Sequence, residues 1–537
     1  MTTGLRYTRS LGWLLLGGLI FRGIIACGLP AGFDEAYYFL YTQNLDWSYF
    51  DHPPAVAWTA GLGIWLTGTV TPLTLRLGAL SLFTGSLWLL FATGRWLFGA
   101  RTGLIGCAIA SLTPLFFFSF GILAAPDNAL IFFWSAALYL CAQEFFPDKN
   151  TEHYQSDSKA YQPTPRLVFI ALLVSLACLS KYHGFVLGLG LVGFCLTNVP
   201  FRLALRSRWM GVGVFVFAIA LFPLLYWNAQ HSWISFQFQL GSRFADYGDT
   251  DSGYSIGALV GACLAQFGYL CPSIALPLWW TSGKALFHRQ LSHKSQGDKL
   301  TYQKLNFLLW SGLPVAVGFT LVAGSTHTFP AWPAPGLWSL TLVLAYAAAH
   351  WPHTAVKRWL IITGWTLGTA LMIALSHLTF GTLQTGSNYA IFGGLVSIDA
   401  DPSTELIDIV QLRHEFEKSA DVMTLLNKTD FVITPEYWLS GYIAMAMPSS
   451  INRSLSSFTS DPRGHAFWFE PEDWVGKDAV LISIGSDRQS KVLEAMAPYF
   501  QSITLHSKIA TLRGGETAKR FYLYQATNLQ KPYPYPY

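Results

Sequence analysis

Phe33-Asp34-Glu35-Ala36-Tyr37-Tyr38, continued by Tyr49-Phe50-Asp51-His52-Pro53-Pro54, follows directly on the apolar run 11–29. A run of that length crosses a bilayer core of ~30 Å. Charge at a membrane boundary is costly, so an acidic pair at the end of such a run marks a functional site by default. Reading 11–29 as a span makes this stretch a boundary loop and the rest of the chain the scaffold that presents it.

The composition agrees. Of 537 residues, 52% are hydrophobic and 12% charged, with a mean hydropathy of +0.36. A soluble protein carries about twice that charged fraction. The net charge of +4 is small and no basic stripe is present, which excludes nucleic acid as a partner. The seven cysteines (Cys27, Cys107, Cys141, Cys178, Cys195, Cys263 and Cys271) lie in or beside apolar runs. None follows residue 380, so no disulfide framework holds an outer domain together. Zinc-type Cys/His spacing is absent. Arg6 and Arg9 ahead of the first apolar run, without a convincing cleavage site, read as an uncleaved signal-anchor helix.

Further spans are expected near 72–92, 103–121, 127–144, 166–181, 184–200, 209–227, 255–281, 305–323, 332–350 and 359–380, about eleven with the first. The apolar segment 55–67 is short and reads as an interfacial helix. Charge bias tests the count. With the N-terminus in the cytoplasm, the inner segments collect Arg6, Arg9, Arg95, Arg101, Arg166, Arg202, Arg206, Arg208, Lys304, Lys357 and Arg358 among others. The outer loops up to residue 331 hold only Lys181 and Arg243. That is the positive-inside pattern, and counting 55–67 as a span would invert it. Parity then puts Asp34, Glu35, Asp51, Asp127, Arg243 and His327 on one face.

Beyond 383 polar residues rise and period-two runs appear at 431–434, 479–484 and 521–524, with helical patterns at 404–427, 436–447 and 487–499. The expected architecture is an all-α polytopic membrane domain, 1–382, followed by a soluble α/β domain, 383–537, on the outer side. The tail Lys531-Pro532-Tyr533-Pro534-Tyr535-Pro536-Tyr537 reads as extended or disordered.

Each candidate residue has a structural and a functional reading. Asp34 and Glu35 are adjacent and point different ways, so one can face a substrate while the other organises the loop. A carboxylate beside a hydroxyl nucleophile is a general base; the alternative is favourable placement at a helix N-terminus. Asp127, in Ala125-Pro126-Asp127-Asn128, is a second acid of the site or an N-cap. His52, fixed by two prolines, suits a phosphate or a metal, or is structural. Lys181 and Arg243 suit a phosphate leaving group, or snorkel to the interface. Arg22 and Arg76, inside apolar runs, either neutralise acids or reach the same phosphate. His327 opens the rigid turn His327–Pro335, by default an aromatic-belt anchor.

The motifs Asp34-Glu35-Ala36-Tyr37-Tyr38, Leu45-Asp46-Trp47 through Phe50-Asp51-His52-Pro53-Pro54, Ala125-Pro126-Asp127, Leu179-Ser180-Lys181-Tyr182, Trp227-Asn228-Ala229-Gln230-His231 and Trp332-Pro333-Ala334-Pro335 occur in order through the membrane region. In these the chain resembles the C-type (GT-C) membrane glycosyltransferases, the bacterial branch related to protein O-mannosyltransferases and the lipid A aminoarabinose transferase. The resemblance implies an inverting transferase of the inner membrane with a sugar donor on a polyprenyl phosphate. It implies an acceptor (a glycolipid, polysaccharide or protein of the envelope) on the outer face. It implies Asp34 as catalytic carboxylate, Glu35 beside it, Asp127 as second acid, and Tyr37, Tyr38, Asp51 and His327 lining the site. Some relatives carry Lys-Pro-Pro where this chain has His52-Pro53-Pro54; His need not be charged at neutral pH, which favours Lys181 and Arg243 for the phosphate. A divalent metal ion is used by some relatives and not by others, and no ligand set here decides it. A secondary transporter or lipid flippase would show internal repeats and midplane charges, which are not seen; a non-catalytic scaffold would act through 383–537 alone.

Overall fold

The computed structural model describes residues 2–147, 161–242, 254–287, 296–326, 328–485 and 488–537. It divides into two compact units interleaved along the chain. One comprises Met1–Gly23, Trp47–Thr59 and Gly78–Gly368; the other comprises Ile24–Asp46, Ala60–Leu77 and Thr369–Tyr537.

The first unit is helical, and the chain is a multi-pass membrane protein. Among the described residues four helices are long and apolar enough to cross a bilayer: Arg6–Gly28, Pro72–Phe98, Asp298–Val322 and His353–Phe380. Three bent pairs raise this to as many as seven if each is one span. The pairs are His183–Thr197 with Val199–Leu205 (114°), Arg208–Ala220 with Phe222–Gln230 (45°), and Ile256–Leu270 with Pro272–Phe287 (115°). Each break is followed within two residues by a proline: Pro200, Pro223 and Pro272. Proline removes an amide donor and disfavours α geometry in the residue before it. The expected single span 255–281 is therefore two helices meeting at Cys271, whose φ is 68°. Ala55–Thr67 is a separate 13-residue helix, too short to span.

The core of this unit is aromatic and tightly registered. Trp134 Nε1 donates to Ser339 Oγ at 2.9 Å, and Trp338 Nε1 donates to Ser135 Oγ at 2.9 Å. These reciprocal bonds lock the Pro126–Phe145 helix to the Ala334–Ala348 helix. The latter also crosses Gln296–Val322 at Gly312 and Gly336, where a Cβ on Gly336 would lie 2.3 Å from the Gly312 carbonyl oxygen. Small residues at such crossings let helix backbones approach in a membrane.

The second unit contains a five-stranded sheet with order β2-β1-β3-β5-β4: β1 Phe431–Thr434, β2 Ser454–Ser457, β3 Ala479–Ile484, β4 Phe500–Arg513 and β5 Glu516–Leu529. β1 pairs parallel with β2 and β3, and β5 pairs antiparallel with β3 and β4. The sequence reading placed β1, β3 and part of β5; β2 and β4 are additional. β1 is buried throughout and β3 nearly so, as a parallel strand covered on both faces should be. The tail is extended and packed: Tyr533 stacks on Phe458 at 4.6 Å, and Tyr535 Oη lies 2.8 Å from Ser456 Oγ.

Two polar anchors organise this unit. His377, in the last turn of His353–Phe380, lies 2.9 Å from Asp401 through Nε2, and its Nδ1 accepts the Leu383 amide at 3.1 Å. Arg513 completes the set, bonding Asp401, Ser403 and Gln384. Burial alone would raise the Asp401 carboxyl, but the Ser403 hydroxyl and amide and the Arg513 guanidinium outweigh it and hold it below the usual range. The second anchor is the Phe33–Gln43 helix, which bears Asp34 and Glu35 and packs against Tyr437–Ala446. At their crossing a Cβ on Gly441 would lie 2.0 Å from the Ala36 carbonyl oxygen. Backbone cannot yield there as a side-chain tip could. Gly441→Val should therefore lower stability by about 3 kcal/mol or more, with Gly441→Ala smaller in the same direction. Thermal unfolding of the detergent-purified chain checks this; an unchanged midpoint for both variants would refute the tight crossing.

Candidate active site

In the first unit, Pro126 stands at the start of a helix and Asp127 at its second position. The cap is supplied by Asn128. Its Oδ1 accepts the Ala125 amide at 2.7 Å, and its Nδ2 donates to the Phe120 and Leu123 carbonyls at 2.9 and 3.1 Å. Asp127 is thereby released from capping. Both of its carboxylate oxygens accept from Lys181 Nζ at 2.9 Å, and the two side chains are only 7% and 8% exposed. Lys181 sits in the turn between Arg166–Cys178 and His183–Thr197. It is an ion-paired residue and not a snorkelling one.

Lys181 is also in the wall of a cavity of about 400 Å³. The same wall holds His52, Gln239 and a set of apolar and aromatic side chains: Tyr182, Phe185, Val186, Phe236, Phe319 and Trp332. The Tyr49–His52 turn is closed by the Tyr49 amide donating to the His52 carbonyl at 3.1 Å. Two residues that sequence reasoning missed fix it from outside: Ser235 Oγ donates to the Tyr49 carbonyl at 2.9 Å, and Gln239 Nε2 to the Asp51 carbonyl at 2.5 Å. Asp51 is buried. Arg22 is fully buried, donating to Thr84 Oγ1 at 3.1 Å with its guanidinium 4.9 Å above Phe83. Arg243 and His327 lie outside the described residues.

In the second unit, Asp34 and Glu35 divide as adjacent residues of one helix turn must. Asp34 is exposed in the first turn of the Phe33–Gln43 helix. Glu35 is buried: it accepts from Arg76 Nε at 2.8 Å and Nη2 at 2.5 Å, and from the Gly32 amide at 3.0 Å. Arg76 spends its other donors on the carbonyls of Ala26, Leu29 and Pro30. So Arg76 neutralises an acid, and the pair ties the end of Thr2–Gly28 to the helix that presents Asp34. Tyr37 and Tyr38 are buried; the Tyr37 hydroxyl accepts the Gly464 amide at 3.0 Å and its ring meets Tyr437 edge-on. Beneath them Ser440 Oγ lies 2.7 Å from His465 Nε2. Burial pushes the His465 imidazole down to about 4, with the Tyr437 backbone opposing.

Residues 51–227 match the sequence profile of the family described as dolichyl-phosphate-mannose-protein mannosyltransferase. That segment holds His52, Asp127 and Lys181. The chain is also 25% identical over 345 residues to the lipid A galacturonosyltransferase RgtD of Rhizobium johnstonii. The match covers 64% of this chain and 63% of RgtD, less than two thirds of that protein. The crystal structure of apo ArnT from Cupriavidus metallidurans superposes with a TM-score of 0.59 at 14% identity, over 96% of this chain and 98% of ArnT. The fold is that of ArnT. ArnT bound to undecaprenyl phosphate gives 0.58 at 13% identity, over 97% of this chain and 99% of that one.

Two outcomes follow from these geometries. Lys181→Met leaves the Asp127 carboxylate buried without its counter-ion, which should cost about 3–5 kcal/mol. Adding Asp127→Asn should recover at least about 1 kcal/mol of that loss in a double-mutant cycle; additive losses would show that the two do not act as a pair. For His465, the unfolded imidazole takes a proton below its ordinary value of 6.5 while the folded one resists to about 4. Stability should thus fall as pH drops from 6.5 to 4, by about 3 kcal/mol, and level off below. Unfolding midpoints of His465→Gln across this range should be flatter than wild type; a parallel profile would refute the assignment.

Proposed function

We propose that the chain is an inverting glycosyltransferase of the inner membrane, moving a sugar from a polyprenyl-phosphate donor to an envelope acceptor. The observation that carries this is the Lys181 ammonium, held by both Asp127 oxygens in the wall of an aromatic cavity that also holds His52. An ammonium has three donors. Asp127 takes two in fixed directions, so the third is aimed and serves a phosphate oxygen, with His52 as neighbouring donor. The aromatic wall suits an isoprenoid chain. Arg243 is assigned to the same phosphate.

Asp34 is assigned as the base. It takes the proton of the acceptor hydroxyl as that oxygen attacks the anomeric carbon, on the face opposite the phosphate. The carbon–oxygen bond to phosphate breaks, the electron pair stays on the phosphate, and configuration inverts. Glu35, clamped by Arg76, positions Asp34; Asp127 positions Lys181. Asp51, Tyr37, Tyr38 and His327 are assigned to the lining. Among the described residues no group of three or more His, Cys, Asp or Glu could hold a metal ion; a divalent cation, used by some relatives and not by others, stays open. About eleven spans, with an inner N-terminus and the domain 383–537 outside, accord with the cation distribution. RgtD, named for lipid A, supports a glycolipid acceptor, and the profile match to protein mannosyltransferases leaves a protein acceptor as the second choice.

Asp34→Asn should purify with an unchanged unfolding midpoint and lose at least about 100-fold in transfer from a polyprenyl-phosphate sugar, the scale of one general base. Envelope glycolipids and glycoproteins of a deletion strain, compared by mass spectrometry, would name sugar and acceptor. Wild-type turnover by Asp34→Asn would remove the base. Lipid-phosphate movement across vesicles without a glycosyl product would make the chain a flippase instead.

A further inference from the structure

A second, larger cavity of about 710 Å³ lies wholly within the first unit, between the Pro72–Phe98, Pro126–Phe145 and Gln296–Val322 helices. Asp127 and Phe145 stand at opposite ends of one helix, about 27 Å apart at 1.5 Å per residue. The cavity takes in Phe145 and Phe146. It therefore opens at the membrane face opposite the Asp127–Lys181 pair.

Its wall carries two cations. Lys304 Nζ donates to the Leu97 carbonyl at 2.6 Å and lies 5.8 Å from the centre of the Phe98 ring. Arg95 is exposed in the last turn of Pro72–Phe98, where no described residue receives a hydrogen bond or ion pair from its guanidinium. No acid is among the described residues that line the cavity. Glu144, at the same helix end, is engaged elsewhere, by Tyr161 Oη at 2.8 Å, the Thr164 amide at 2.9 Å and Arg166 at 3.4 Å. Below the cations the wall becomes amphipathic: Trp96 bonds the Phe146 carbonyl at 2.9 Å, and the half-exposed Trp88 meets Tyr139 edge-on at 6.3 Å. Trp88 is two helical turns from Arg95, about 10 Å deeper along the axis.

Phosphate-binding charge at the rim, with Trp96 beside it and an apolar and aromatic wall of Phe91, Ala92, Trp88 and Tyr139 below, reproduces the profile of a membrane lipid. We propose that this cavity is a binding site for an anionic phospholipid of the bilayer, its phosphodiester on Arg95 and Lys304 and one acyl chain running past Trp88. The site is separate from the transfer site, and its test does not involve transfer.

The full chain purified in a mild detergent is titrated with dioleoyl phosphatidylglycerol or dioleoyl phosphatidylcholine, and bound lipid is read by native mass spectrometry. Phosphatidylglycerol should bind at least tenfold tighter. Arg95→Gln, which loses no hydrogen bond or ion pair with the described residues, should weaken it about fivefold, the scale of one cation near an anionic headgroup. Adding Lys304→Gln should erase the preference, while Lys357→Gln, removing an exposed cation of another helix, should keep it. The proposal is overturned if phosphatidylcholine binds equally, if Arg95→Gln has no effect, or if Lys357→Gln is as damaging. It is also overturned if glycerol phosphate displaces the lipid at equal concentration, since the site would then take a bare phosphate.

Discussion

A charge in a membrane chain must be neutralised within reach, and that constraint shapes both compact units. Burying an ion carries a penalty of several kcal/mol, which attraction offsets only with good geometry and further hydrogen bonds. Glu35 and Arg76 meet this condition in full, with two contacts between them, a third to the Gly32 amide and three carbonyls around the guanidinium. Asp127 and Lys181 meet it only in part, because the ammonium is bound on one side and stands in a cavity wall on the other. The first arrangement suits a structural tie. The second suits a site that awaits an anion.

The acids were legible in the sequence because they are out of place; their roles were not, because partners far along the chain decide them. Nothing local distinguishes Asp127 as a cap from Asp127 as a ligand. The distinction comes from Asn128, whose side chain reaches back to Ala125 and leaves its neighbour to Lys181, 54 residues on. Arg76 looked anomalous in an apolar run for the same reason: its partner Glu35 lies 41 residues earlier. Ser235 and Gln239, which fix the turn before His52, are ordinary polar residues in a short helical stretch and carry no signal of their own.

The fold shows the same division. Apolar runs located the helices, since membrane burial leaves little else to read. Breaks inside them were harder: 255–281 has the length of one span and two prolines, of which Pro272 marks the bend at Cys271 while Pro277 stands inside an unbroken helix. β1 and β3 were visible because both faces are buried and their sequences, Phe-Val-Ile-Thr and Ala-Val-Leu-Ile-Ser-Ile, are almost wholly apolar. β2, Ser454–Ser457, offers mostly serine, and β4 is an edge strand whose exposed residues are mostly polar, Leu505 and Leu512 apart. The packed tail was invisible because each Tyr-Pro step is compatible with disorder; Phe458 and Ser456 give it a surface.

The Pro126–Phe145 helix joins these observations in one element. Its N-terminal end carries an acid that holds a cation, and its C-terminal end borders Arg95 and Lys304. Its middle is fixed by the Trp134–Ser339 and Trp338–Ser135 bonds. About 27 Å between Asp127 and Phe145 is close to a hydrocarbon core of ~30 Å, so the polar groups at both ends fall at the two interfaces. A helix held by charge at both interfaces and by indole hydrogen bonds between them cannot slide along its axis without burying an ion. The depth of Asp127, and with it the depth of the Lys181 ammonium, is thereby set by the membrane itself.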